Sequence, residues 1–212
     1  MNSKAYPSLK QAEEIWLEGI RYRQENPEVK PLSQYIEEEY KFHTRGVAAA
    51  AKKIASRTVS LNPEKAYILG LLHDYGKKKD EKSQNIFHGR VGYDEMINKG
   101  YSDVARICLT HTFPTKDFDD KDFWYPQEWK DWLRKELKSI QYDDYDRLIQ
   151  LCDKFFEGMT MISIERRMRK IVERYNLNEE TYQTLVSEGI ILKKYFDNLC
   201  GVDVYEVLGI EA

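Results

Sequence analysis

Residues 66–77 read AYILGLLHDYGK, the most apolar helical stretch of the chain, and it ends on His73 and Asp74. Ile68, Leu69, Leu71 and Leu72 clothe it with hydrocarbon, as expected of a helix buried in a core. Two ionisable side chains at the end of such a helix need partners. Upstream, Asn62 followed by Pro63 puts a capping residue before a proline at the first turn, so a helix is predicted over 63–75. Working outward, helical spacing of apolar residues recurs over 8–25, 32–59, 89–99, 102–112, 127–140, 144–158, 160–175 and 178–199. The six prolines fall at or between the ends of these segments, and no alternating run carries a hairpin signal. The expectation is an all-α helical bundle. It is read as a single domain over 1–212, with a motif-bearing core at about 32–160 and terminal helices at about 8–25 and 160–200 packed on it. The linkers are read at 26–31, 78–87 and 113–126.

Composition narrows the classes further. The 212 residues are 42% hydrophobic and 33% charged, against a typical charged share of about 25%. Such a chain can build a core under a heavily charged surface. No stretch approaches ~18 consecutive apolar residues, so no membrane partner is expected. Lys plus Arg (33) nearly cancel Asp plus Glu (36), which argues against a nucleic-acid polymer as partner. Three cysteines, Cys108, Cys152 and Cys200, make an odd number without close pairing and no disulfide framework. The opening residues MNSKAYPSLK lack the apolar core of a signal peptide. A cytoplasmic location is the economical expectation.

The four histidines, His43, His73, His88 and His111, carry the chemistry. Positions 43, 47, 50 and 54 share one helix face and read His, Val, Ala, Ile; Val104, Ile107, Cys108 and His111 form a second stripe. Tyr145, Ile149, Asp153 and Phe156 form a third, where an aspartate loses hydration worth several kcal/mol unless a cation or hydrogen bonds compensate. A lone histidine on an apolar face is most often a hydrogen-bonded core residue. Every histidine of the chain together with two aspartates in comparable settings is better explained by converging metal ligands. Imidazole and carboxylate without a thiolate set suit first-row divalent metals.

These residues also carry a resemblance. His43, His73-Asp74 and Asp153 resemble the His…His-Asp…Asp signature of the HD superfamily of metal-dependent phosphohydrolases. The surrounding texts KFHTRGVAAAAKKIA, LGLLHDYGKKK and LIQLCDKFFEG fit its three standard blocks. FHGRVGYDEM and ICLTHT are similar to the two additional histidine blocks of its dinuclear branch. The resemblance spans about residues 40–160. It implies a helical HD domain with one metal on His43, His73, Asp74 and Asp153. A second metal is implied on His88 and His111, with Asp74 bridging. Iron or manganese fits this set, with zinc, cobalt and nickel also admissible. Lys77 completes an HDxxK text, in which the lysine approaches substrate phosphate; its alternative is a solvated place in the Lys77–Lys79 run.

Arg90 and Lys154 stand beside candidate ligands and are candidates for a second phosphate, or else surface ion pairs. Arg166, Arg167, Arg169 and Lys170 read as a charged helix face, from which one arginine can reach a polyphosphate. Thr112, Thr115 and Lys116 open a stretch that can cover the site. Phe123, Trp124 and Tyr125 are read as its anchors to the core, with base stacking as the alternative. The expected activity is hydrolysis of a phosphorylated small molecule, a nucleotide or related phosphate ester, by a metal-activated water, with Asp74 and Lys77 as the catalytic pair. Two other classes share the ligand set: an HD-type di-iron oxygenase, and a non-catalytic metal- or nucleotide-binding signalling module. Lys77 and the HGxxG text favour hydrolysis, and the complete ligand set argues against loss of catalysis. Tyr, Trp and Leu in the terminal helices leave a homodimer open.

Overall fold

The computed structural model describes residues 5–26, 34–79, 87–118 and 125–211. These form ten α-helices and one pair of two-residue strands: α1 (Leu9–Glu25), α2 (Gln34–Ala55), α3 (Pro63–Leu72), α4 (His88–Asn98), α5 (Ser102–Thr110), α6 (Gln127–Ser139), α7 (Asp144–Asp153), β1 (Phe156–Glu157), β2 (Thr160–Met161), α8 (Ile164–Tyr175), α9 (Glu179–Cys200) and α10 (Val204–Leu208). The fold is all-α, as the periodicity implies. Among the described residues no helix is long and apolar enough to cross a membrane. The three cysteines are free thiols.

Several helix starts follow from local chemistry. Ser8 and Gln11 close a reciprocal capping box on α1, and the Asn62 side chain accepts from the Lys65 backbone N–H at the start of α3. Asp143 and Asp146 make the same kind of box at α7. The helix ends differ more from expectation. α2 stops at Ala55 and gives way to turns, short of residue 59. α3 stops at Leu72, and after His73 and Asp74 the chain tightens into a 3₁₀ turn over Tyr75–Lys79. α7 ends at Asp153, where a helix was expected to 158. Beyond it β1 pairs antiparallel with β2, and Gly158 reverses the chain at φ 55°. α10 lies beyond every predicted helix.

α2 and α3 pack closely because Gly70 faces Ala48; a Cβ there would stand 2.8 Å from the Ala48 Cα. Gly76 does the same for the 3₁₀ turn against α4, where a Cβ would fall 1.9 Å from the His88 carbonyl oxygen. The principal apolar core takes side chains from α1 through α5 and from α7 through α10. A smaller cluster of Phe87, Leu109, Phe113, Leu133 and Leu137 fixes α6 beside α4 and α5. Tyr125 stacks on Trp129 and tilts against Phe87, so it anchors its segment to this second cluster. Phe123 and Trp124 lie outside the described residues.

Candidate metal centre

Four of the six candidate ligands sit at helix ends. His73 and His111 cap the C-termini of α3 and α5, Asp153 is the last residue of α7, and His88 is the first of α4. Only His43 lies within a helix, on the face of α2 that also carries buried Val47, Ala50 and Ile54. Three helix C-termini therefore bring partial negative charge to the site against one N-terminus, that of α4, and the balance favours a cation there.

The structure brings all six together. His43 Nε2 lies 3.2 Å from His73 Nε2 and 3.1 Å from Asp153 Oδ1. Asp74 Oδ2 is 3.4 Å from both of those imidazole nitrogens, and His73 Nε2 is 3.7 Å from Asp153 Oδ1. On its other side, Asp74 Oδ1 faces His111 Nε2 at 3.4 Å and His88 Nε2 at 3.6 Å. Donors bound at ~2.1 Å to one tetrahedral or octahedral ion stand about 3.0–3.4 Å apart, close to these spacings. The donors thus form two groups that share Asp74, one oxygen in each.

Hydrogen bonding fixes which nitrogens face inward. His73 Nδ1 lies 2.7 Å from the Gly70 carbonyl, and His111 Nδ1 lies 3.1 and 3.0 Å from the carbonyls of Ile107 and Cys108. A carbonyl oxygen only accepts, so each Nδ1 carries a proton and donates it. In neutral His111 the Nε2 lone pair then points at Asp74 Oδ1, a buried oxygen that makes no hydrogen bond. Two acceptors facing each other in a buried place repel unless a cation lies between them. The donor set therefore fits a divalent ion, with the orientation by outer-shell carbonyls that histidine ligands require.

Within the cluster the carboxylates and imidazoles shift one another's pKa values. Burial opposes the charge of Asp74, but Lys77 and His73 outweigh it and hold the carboxyl well below the usual range. For Asp153 burial is likewise outweighed, by hydrogen bonds from His43 and His73. Burial would depress His73, yet Asp74 and Asp153 raise it to about 10. Burial pushes His88 down to about 3, so it is neutral at ordinary pH and suited to ligation.

His43, Asp74, His88, His111 and Asp153 line a cleft of about 410 Å³ that also includes Arg23, Glu39, Tyr40, Lys77, Thr112 and Arg167, and His73 is buried behind them. The Lys77 ammonium donates to Asp74 Oδ2 at 2.6 Å. The 3₁₀ turn accounts for this, since three residues per turn stack position 77 over position 74. Its neighbours go elsewhere. Lys78 is buried against Glu95 and the Tyr75 hydroxyl, and Lys79 also pairs with Glu95, so the lysine run is not a solvated strip.

Two other sequence candidates are not brought into the cleft. Arg90 lies over the rings of Trp129 and Trp132, with Asp94 3.7 Å away. Lys154 is turned toward Gly189 and Glu188, and burial lowers its pKa. In α8, Arg167 reaches the cleft while Arg166, Arg169 and Lys170 line a separate depression. Thr115 is exposed, and Lys116 donates to the Ile140 carbonyl.

The cleft residues missed from sequence include Arg23, Glu39, Tyr40, Glu157, Arg174 and Tyr175. Glu39 and Tyr40 precede His43 by four and three residues, which places them on its helix face. Arg174 follows Arg167 by seven, again one face. Arg23 has no local signal, because only the packing of α1 on α3 and the 3₁₀ turn brings it near.

No curated protein and no solved structure matches the chain. The model of the HD domain family matches residues 40–157, more than half of the sequence, and that span holds all six clustered histidines and aspartates. The chain belongs to the HD domain family.

Proposed function

We propose that the protein is a metal-dependent phosphohydrolase that cleaves a nucleotide or related phosphate ester. The observation that supports this most is the division of Asp74 between two donor groups, with a lysine beside it. His43, His73, Asp74 and Asp153 would hold one divalent ion, and Asp74, His88 and His111 a second. Iron(II) or manganese suits these donors, and zinc, cobalt and nickel are compatible with them. Bound there, the ions supply a Lewis-acidic seat for a phosphate oxygen and lower the pKa of a bound water toward neutrality.

The side chains do the rest. Asp74 and Asp153 keep their charge because the surrounding cations hold their pKa values low. His73 and His111 are fixed in orientation by their Nδ1 hydrogen bonds, so ligand positions are set before substrate arrives. Lys77 sits at the cleft wall, where an ammonium offsets charge developing on phosphoryl oxygens. The cleft carries the cations Arg23, Lys77, Arg167 and Arg174 against the carboxylates Glu39, Asp74, Asp153 and Glu157. These charges cancel, so each divalent ion leaves the cleft more positive and attractive to an anionic substrate.

Anaerobic reconstitution with manganese or iron(II), followed by a phosphate-release screen over nucleotides and simple esters, tests the reading. The expected result is release that requires added metal. Oxygen-dependent turnover without phosphate release, or no release from any ester, would overturn it.

A further inference from the structure

α8 lies outside the matched HD span, yet Arg167 and Arg174 reach from it into the cleft. Both bind one carboxylate, that of Glu157 in β1: Arg167 Nη1 donates to Oε2 and Arg174 Nη2 to Oε1. Two guanidiniums therefore share one carboxylate, with Arg167 and Glu157 largely buried and Arg174 exposed, and Asp153 and Glu39 are the further anions near Arg167. Pinning α8 to β1 needs only one arginine. The second arginine adds N–H donors at the cleft wall beyond those needed to hold the helix. Each guanidinium has five N–H donors, and one nitrogen of each engages Glu157. Arg167 also lies close enough to Asp153 for the two charges to interact, so the pair borders the His43–His73 end of the metal centre.

We propose that Arg167 and Arg174 form a second anion station in the cleft, receiving a further phosphate of the substrate beside the one at the metal centre. This rests on the phosphohydrolase reading and narrows it to substrates with two phosphoryl groups, because paired guanidinium forks match the oxygens of a phosphate. Glu157 is the resident anion that keeps the two arginines side by side until substrate displaces one of its contacts.

Calorimetric titration of the metal-loaded protein tests this with three non-hydrolysable probes: methylphosphonate, methylenediphosphonate and propane-1,3-diphosphonate. Magnesium in excess keeps the probes from stripping the bound metal, and metal analysis of the recovered protein verifies it. At least one two-headed probe should bind about tenfold or more tighter than methylphosphonate, the scale of one charge-assisted contact. The probe that gains distinguishes linked from separated phosphates. Arg167→Ala and Arg174→Ala should each remove most of that advantage, Arg167→Lys should recover part of it, and Glu157→Gln should enlarge it. Thermal melting identifies variants that fail to fold, and Arg174→Ala, on the more exposed arginine, provides the test if Arg167→Ala does not fold. Equal weakening of all three probes, or no weakening of any, would overturn the proposal. If methylphosphonate binds the wild type and two heads gain nothing, this inference alone fails. If methylphosphonate does not bind at all, the phosphohydrolase reading fails with it.

Discussion

Asp74 and Asp146 are both almost fully buried, at 1% and 0% exposure, and they lie in the same helical core. Asp146 is satisfied by its surroundings. Its Oδ1 accepts from the Thr110 hydroxyl at 2.7 Å, and its Oδ2 accepts from Arg106 and from the Asp143 backbone N–H. Arg106 in turn binds Asp143 at 2.7 Å. Asp74 is different: one oxygen takes the Lys77 ammonium, and the other makes no hydrogen bond while imidazole nitrogens converge on it. Burial of a carboxylate does not by itself mark a functional site. A buried oxygen left without a hydrogen bond, facing lone pairs, does mark one, because something outside the chain must satisfy it.

The sharpest way to break this contrast is to exchange the fates of the two aspartates. Asp74→Asn should lower phosphate-ester turnover at least about 10³-fold, roughly 4 kcal/mol, because both donor groups lose a ligand. Asp146→Ala should instead act on stability, costing about 2–3 kcal/mol in urea unfolding. That is below the full cost of stranding a buried charge, since Arg106 keeps Asp143. If Asp146→Ala folded normally but lost metal, the two aspartates would not differ as described.

Lys77→Ala comes next in size. It should reduce kcat/KM by about 2 kcal/mol with metal content unchanged, the lower range for a preorganised electrostatic contact because the lysine is partly exposed. A variant that sheds metal would make Lys77 a support of Asp74.

The smallest effect concerns pH. The folded-state pKa of His73 is raised to about 10, so without metal its protonation stabilises the fold below the ordinary value near 6.5. That contribution is lost as pH climbs from about 6.5 through 10. Asp74 and Asp153, whose pKa values are lowered, contribute above the usual carboxylate range, and their contribution disappears as pH falls below about 4. Metal and proton compete for His73, so the gain in Tm on metal loading should grow by a few degrees between about pH 6.5 and about pH 9. Melting curves of stripped and loaded protein check the sign. A gain that shrinks over this interval would contradict the ligand role of His73.

What the sequence makes legible is local. His43 shares a stripe with Val47 and Ile54, His111 with Val104 and Ile107, and such spacing reports burial directly. Helix ends are less legible, because they depend on neighbours. α3 stops at Leu72 as the chain tightens beneath α4, an approach that Gly76 permits. The end of α7 at Asp153 and the reversal at Gly158 bring Glu157 to the cleft, whereas the apolar run through Phe155 and Phe156 reads as continuing helix. Arg90 was placed near substrate by its distance from His88 along the chain; two tryptophans of α6 take its guanidinium instead. Arg23 is the limiting case, since a helix far away in sequence delivers it.

The most direct test of the shared carboxylate is quantitative metal analysis of wild-type and Asp74→Asn protein after reconstitution with excess manganese or iron(II). About two ions per chain are expected in the wild type, with loss from both positions in the variant. One ion per wild-type chain at saturation, or full occupancy in Asp74→Asn, would contradict the shared carboxylate.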